Sequence, residues 1–321
     1  MILNFMKHRL FKSLRKTRYG GMRLTTPLND RYHFFGREAG HYADISLRDW
    51  KALSRLSAGG DIGLAETYSE GLWDTSNLTE LLMFGLENEA IFEQYIHGST
   101  LSRMGERVRY FTQRNTVENS RRNIQAHYDL GNDFYRLWLD RSMTYSSGIF
   151  HANDETLEAS QTNKNTRITD LFGGKSGTLL EVGCGWGGFA EHATRVGDFA
   201  AKGITLSQQQ YEFAKARLNG NANIALEDYR HQEGLYDYLV SIEMFEAVGE
   251  KYWPVYFEKM KSLMQPDGKA IIQTITIDES RFESYRNGSD MIRTFIFPGG
   301  MLPSGERFEK AAKAAGLKVA G

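Results

Sequence analysis

Past Thr178 the sequence settles into a repeating rhythm, a short apolar run followed by a helical stretch every ~20–30 residues, and no other feature constrains the fold so tightly. The runs are LLEVG (179–183), AKGITL (201–206), NIAL (223–226), YDYLVSI (236–242) and KAIIQTITI (269–277). Runs this apolar read as strands buried on both faces, and strands joined through helices lie parallel. The expected fold class is therefore α/β, a Rossmann-like sheet with helices on both faces. QPDG (265–268) reads as the turn that leads the amphipathic stretch 252–264 into the fifth run.

The first hundred or so residues lack this rhythm. Residues 31–35 and 43–47 look strand-like, 47–56 reads as a helix with Asp49 in its first turn, and 79–95 as a second helical stretch, with Gly59, Gly60, Gly63 and Gly71 between them. A small α+β domain over 1–113 is expected, followed by a larger domain over 114–321 whose segment 120–165 forms a lid. The polar stretch 112–123 reads as a linker or helix start. A mixed helical and aromatic segment, 124–150, follows it.

Residues 1–24 carry seven bases (Lys7, Arg9, Lys12, Arg15, Lys16, Arg18, Arg23) and no acid, and Leu3, Met6, Leu10, Phe11 and Leu14 fit one helical face. Such a helix either lies on an anionic membrane surface or packs on its own domain with its charges in water. Across the whole chain Lys+Arg 39 balance Asp+Glu 40, a net charge of −1, so no global basic field points to nucleic acid. With 41% apolar and 25% charged residues, disorder and collagen-like order are excluded. A single cysteine cannot form an intramolecular disulfide, and no apolar leader with a cleavage site opens the chain, so a cytoplasmic protein is expected. No apolar run is long enough to span a bilayer.

The chemistry concentrates at the first strand of the repeat, in Glu181-Val-Gly183-Cys184-Gly185-Trp-Gly187-Gly188. Glycines here let backbone approach a ligand at a helix N-terminus, and the spacing formally satisfies GxGxxG. Two details favour S-adenosylmethionine over a dinucleotide. Glu181 stands where it can accept hydrogen bonds from a cationic amino group, and the second strand ends in Thr205 where a ribose-binding acid would be required.

Further stretches are HYDLGNDFYRLWLDRSMTYSSGIF (127–150), GITLSQQQ (203–210), EDYR (227–230), MFEAVGEKYWPVYF (244–257) and FIFPGGMLPS (295–304). Together with the glycine motif they closely resemble the cyclopropane-fatty-acyl-phospholipid synthase family of S-adenosylmethionine-dependent methyltransferases. GDIGLAETYSEGLWD (60–74) also resembles the small N-terminal domain of the longer members. The resemblance implies reaction at a cis double bond in a phospholipid acyl chain, with bicarbonate removing the proton that closes a cyclopropane ring. It implies that Tyr145 and Ser146 touch the methionine part of the cofactor and that Gly183, Cys184, Gly185 and Gly187 pass under it. Thr205, Leu206 and Gln210 would meet the ribose, and Asp228 and Tyr229 would flank the adenine. Glu246 matches the glutamate that holds bicarbonate, with Glu243 three residues earlier as the rival. Tyr128, Phe134, Tyr135, Trp138 and Tyr145 offer aromatic faces to cations that lack hydrogen-bond donors.

Three positions depart from that pattern: Ser147 replaces a cysteine, Ala247 and Gln273 each replace a histidine. The cysteine and the second histidine belong to the bicarbonate pocket, so Ser147, Gln273 and Glu246 are the expected catalytic group, and the product is expected to include methylated chains without a ring. LKVAG (317–321) is expected to be the sixth strand, and the family's last strand and its pocket tyrosine would lie beyond residue 321. The expected enzyme works at the inner leaflet of the cell membrane, with a homodimer admissible. A methyltransferase for a soluble small molecule, and an impaired relative that binds lipid, remain the alternatives.

Overall fold

The computed structural model describes residues 2–96 and 131–320. The expected linker at 112–123, and Tyr128 with it, lie outside the described residues. Among those described, the chain divides into two compact units, one of residues 2–96 with 287–295, the other of 131–286 with 296–320.

In the first unit, helix α1 (Ile2–Leu14) precedes strands β1 (Tyr19–Thr25), β2 (Arg31–Phe35) and β3 (Glu38–Leu47), helix α2 (Lys51–Ser69), the short β4 (Trp73–Asp74), and helices α3 (Leu78–Glu87) and α4 (Glu89–Ile96). The sheet order is β2-β1-β3-β4. Leu14, Met22, Leu24, Phe34, Trp73 and Phe84 form its core, and Leu10 and Phe11 of α1 pack against it. Helix α2 starts at Lys51 rather than at 47, because Leu47 is still paired with Trp73 in the sheet. The single helical stretch expected over 79–95 is two helices. Asn88 interrupts it, its side-chain Nδ2 donating to the carbonyls of Phe84 and Tyr19 while Oδ1 accepts from the N–H groups of Arg18 and Tyr19.

The second unit runs α5 (Asn132–Arg136), α6 (Leu157–Phe172), β5 (Ser176–Val182), α7 (Gly188–Val196), β6 (Asp198–Thr205), α8 (Gln208–Leu218), β7 (Asn223–Leu226), β8 (Tyr236–Ile242), α9 (Trp253–Ser262), β9 (Met264–Gln273), α10 (Glu279–Asn287) and α11 (Gly305–Ala314). Its five strands are all parallel, in the order β7-β6-β5-β8-β9. Successive side chains of a strand point to opposite faces. Leu179 and Val240 accordingly pack with Ile168, Phe172, Phe189 and Ala193 of α6 and α7, while Leu180 and Leu239 pack with Tyr256, Phe257 and Met260 of α9 and with α11. Helices on both faces follow from that alternation. The chain winds outward from β5 to β7 and then returns to β8 on the other side, so strand order reverses between β5 and β8, which opens a crevice above their carboxyl ends.

Two expectations are corrected. The QPDG segment is a bulge inside β9, not a turn before it: pairing with β8 jumps from Tyr236 opposite Met264 to Tyr238 opposite Lys269. Residues 317–320 form no strand. Gly316 turns left-handed (φ 75°), the Leu317 N–H closes the helix end on the Ala312 carbonyl at 3.1 Å, and Leu317 and Val319 then pack onto the core beside α9.

Candidate active site

Every strand of the parallel sheet delivers residues to the same edge. The turn after β5 is left-handed at Gly183 (φ 83°), Gly185 (φ 54°) and Gly187 (φ 84°). A side chain built on Gly185 would meet nothing within 4 Å, so that backbone faces open space above the crevice. Cys184, by contrast, turns its side chain into the sheet among Ala190, Ala214, Leu218 and Ile224, and only its backbone belongs to the turn. Gly187 caps α7 without a side-chain partner. The segment 142–144 crosses that end, with Thr144 Oγ1 2.7 Å from where a side chain on Gly188 would begin.

Beneath this turn lies a buried ionisable group. Glu181 is buried, one of its carboxylate oxygens has no partner, and burial pushes its pKa up to about 8 against the pull of Lys164 and the Ala190 N–H. Lys164, on α6, is also buried. Desolvation lowers it to about 8, opposed by the charges of Glu243, Glu181 and Asp140. Its Nζ donates to Ser146 Oγ at 2.6 Å, and Gln161 Nε2 donates to the Ser146 carbonyl at 2.7 Å. Neither Lys164 nor Gln161 was expected from the sequence. The signal was nonetheless present, since Gln161 and Lys164 continue the buried stripe of Ile168 and Phe172 at helical spacing, and polar side chains on a core-facing stripe need a reason.

At the end of β6, Thr205 and Gln210 are buried and bonded to each other, Thr205 Oγ1 donating to Gln210 Oε1 at 2.7 Å, with Leu206 half-buried between them. After β7, the Asp228 carboxylate is gripped by the Arg230 guanidinium, Nε to Oδ1 at 2.9 Å and a terminal nitrogen to Oδ2 at 2.6 Å. Burial raises that carboxyl, but the Arg230 bonds outweigh it and hold its pKa low. Tyr229 is largely buried, edge-on to Tyr256, and desolvation lifts its pKa to about 12.

The expected catalytic residues do converge, around two acids after β8. Glu243 adopts a left-handed backbone (φ 46°), so it does not sit on a helix with Glu246; the helical turn begins only at Phe245. Its Oε1 accepts from the Ser147 N–H at 2.9 Å and from Gln273 Nε2 at 2.8 Å, and Gln273 Nε2 also donates to the Ser147 carbonyl at 3.2 Å. Both amide hydrogens of Gln273 are therefore engaged. Glu246 Oε1 accepts from Thr274 Oγ1 at 2.9 Å and from the Ile275 N–H, which ends β9 at Gln273, four residues short of the expected strand end. Its other oxygen is buried without a partner, and burial raises its pKa.

Over the glycine turn stands an aromatic cluster. Tyr145 lies 5.5 Å from Tyr135, 5.2 Å from Trp138 and 6.4 Å from Phe297, centroid to centroid. Tyr135 is buried against Trp186, whereas Phe134, Trp138 and Phe297 keep exposed faces.

A family model, mycolic acid cyclopropane synthetase, matches residues 115–321. The chain belongs to this family. Tuberculostearic acid methyltransferase UfaA1 of Mycobacterium tuberculosis is 36% identical over 266 residues, which cover 78% of this chain and 61% of that protein. Cyclopropane-fatty-acyl-phospholipid synthase of Escherichia coli is 33% identical over 270 residues, 82% of this chain and 67% of the relative. Among solved structures, mycolic acid cyclopropane synthase CmaA1 complexed with SAH and CTAB superposes with a TM-score of 0.58 at 33% identity, over 63% of this chain and 76% of that one. The chain thus spans about two thirds of the length of the curated relatives it matches.

Membership of the mycolic acid cyclopropane synthetase family sets S-adenosylmethionine as the group to test against this crevice. The open backbone at Gly185, the unpartnered buried oxygen of Glu181 and the aromatic faces around Tyr145 fit its adenosyl, amino and sulfonium parts.

Proposed function

We propose that this chain transfers a methyl or methylene group from S-adenosylmethionine to the cis double bond of unsaturated acyl chains in membrane phospholipids. The observation that carries this reading is the placement, on one sheet edge, of an open glycine cradle, an aromatic cluster with exposed faces, and two acids. When bound, S-adenosylmethionine supplies a methyl group on a sulfonium, which an alkene can attack. Tyr145 and Trp138 present ring faces that stabilise positive charge on sulfur and then on the chain carbon, with buried Tyr135 packed behind Tyr145. Phe134, Trp138 and Phe297, exposed beside them, form an apolar rim that an acyl chain can enter without losing its hydrophobic cover.

The chain carbocation is discharged by loss of a proton. Loss from the new methyl closes a ring, and loss from a neighbouring chain carbon leaves a methylated alkene of the same mass. Glu246, with one oxygen unpartnered, is the acceptor that would orient a bicarbonate. Gln273, where the resemblance calls for histidine, already spends both its amide hydrogens on Glu243 and Ser147. That weakens the hold on an anion and favours the methylated, uncyclised product.

Docking to the bilayer is assigned to α1. Lys7, Lys12, Arg15 and Lys16 line one cavity of about 690 Å³ with Trp50 and Tyr32, and Asp30 is the acid on its wall. Anionic headgroups suit such a surface, with each base contributing about 1 kcal/mol. Among the described residues no helix is long and apolar enough to cross a membrane. Incubation with S-adenosylmethionine and cis-unsaturated phospholipid vesicles, followed by lipid NMR, tests the proposal. Methylated chains with olefinic protons are expected; an absence of any methylated lipid would overturn it.

A further inference from the structure

The function above leaves Lys164 unexplained. A fully desolvated ammonium is costly, and this one has no ion-pair partner within 4 Å among the described residues. It donates to Ser146 Oγ, which leaves the serine O–H free to donate onward, and Gln161 fixes the same residue from its backbone carbonyl. Helix α6 thus clamps Ser146 from two sides. Nearby, Glu181 holds an unpartnered buried oxygen under the glycine turn. One buried cation and one buried acid, close enough to perturb each other yet not paired, match a ligand that carries an ammonium and a carboxylate on one carbon.

We propose that Lys164, together with the hydroxyl of Ser146 that it orients, binds the α-carboxylate of the methionine moiety, opposite Glu181 on the α-ammonium. This rests on the S-adenosylmethionine reading and adds to it the residue that distinguishes the amino-acid end of the cofactor from a simple amine. Lys164 also explains the Gln161-x-x-Lys164 pattern, since a helix that presents both side chains to Ser146 must bury them on the stripe that packs onto the sheet.

The test is calorimetric binding to the full chain of two ligands, S-adenosylmethionine and its decarboxylated analogue, which keeps the amine and lacks the carboxylate. Wild type should prefer S-adenosylmethionine by about 10- to 100-fold, the worth of hydrogen bonds to a charged group. Lys164→Gln should erase that preference by weakening S-adenosylmethionine alone, and retained binding of the analogue shows that the variant is folded. Equal weakening of both ligands, or unchanged affinity for S-adenosylmethionine, would overturn the assignment. Should the variant not fold, the wild-type chain decides alone: a preference below about threefold rejects a carboxylate site built on a charged donor. Wild type that binds neither ligand overturns the cofactor reading itself, and this assignment with it.

Discussion

The two halves of the crevice differ in how their polar groups are satisfied. On the glycine-turn side, Glu181 and Gln161 keep buried oxygens without partners, and Gly185 faces open space. On the acid side, Glu243, Ser147 and Gln273 bond to one another, Thr274 and Ile275 donate to one oxygen of Glu246, and its other oxygen is left over. Unpartnered buried groups cost free energy unless a ligand meets them, so the first half is organised around something that binds there. The second half is largely complete in itself. On the proposed reading, the departures at Ser147 and Gln273 fall in the half that would remove the proton and leave the half that would hold the cofactor untouched.

The sharpest way to break this contrast is Gly185→Val. A β-branched residue at φ 54° is strained, and its side chain would occupy the space left for the ligand. Affinity for S-adenosylmethionine should fall by about 100-fold or more, the sum of strain and lost contact. Unchanged calorimetric affinity would dissociate the glycine turn from the cofactor. Next in size, Glu246→Gln keeps the shape but cannot orient a proton acceptor. Lipid turnover should drop by about 10²-fold or more with cofactor affinity within about twofold, and a matched loss of both would place Glu246 in the cofactor half instead.

Much of this site was legible before the fold was seen, because parallel α/β sheets place functional residues after the carboxyl ends of strands, and NIAL and YDYLVSI became β7 and β8 at their expected limits. What escaped was set by tertiary hydrogen bonding. Glu246 draws the Ile275 N–H out of β9, Gly316 ends α11 in a left-handed turn after which 317–320 form no strand, and the left-handed backbone of Glu243 replaces a helical placement. None of these has a local sequence period. Lys164 escaped for another reason, since a lysine in a polar helix reads as solvated until its neighbours on the stripe are known to be buried.

The two buried ionisable groups under the glycine turn carry a pH signature. Glu181 is raised to about 8 in the folded chain, above its unfolded value, so its contribution to stability is full below about pH 4.5 and is lost as pH rises through about 8. Lys164 is depressed to about 8, so its contribution is present above about pH 10.5 and is lost as pH falls through about 8. The unliganded chain should therefore have a stability minimum near pH 8 from this pair. Glu181→Gln removes the acidic limb, and its advantage over wild type should grow between pH 5 and pH 8 by about 1–3 kcal/mol. Thermal unfolding at the two pH values reads this directly; a difference that does not change with pH would mean that the buried acid is not titrating there. On the other side of the crevice, Gln273→His removes one of the two donors to Glu243 Oε1, leaving the Ser147 N–H, and supplies a donor that can become cationic. The ratio of ring to olefinic protons in the lipid product should rise severalfold, and an unchanged ratio would show that residue 273 does not steer proton loss.

A last effect is expected in the other unit, at α1, where the question is whether a basic helix docks the protein or merely covers its own domain. The structure shows that it covers: Leu10, Phe11 and Leu14 face the core, and the Lys7 ammonium sits 3.7 Å from the centre of the Trp50 ring. Docking must then be carried by the charges that remain outward, since the apolar stripe is already spent. Deleting residues 1–24 would not isolate them, because that cut removes most of β1, which pairs with both β2 and β3. Lys12→Glu with Lys16→Glu leaves the packing face intact and turns two bases into acids on the wall of the cavity. Binding to vesicles of anionic phospholipid should weaken by about 10-fold or more at low salt, at about 1 kcal/mol for each lost base, and the difference should shrink as salt shortens the screening length. Binding to vesicles of zwitterionic lipid should not change. Equal binding of wild type and variant to anionic vesicles at low salt would leave α1 as a packed helix with solvated charges, and would move membrane recognition to the apolar rim around Trp138 and Phe297.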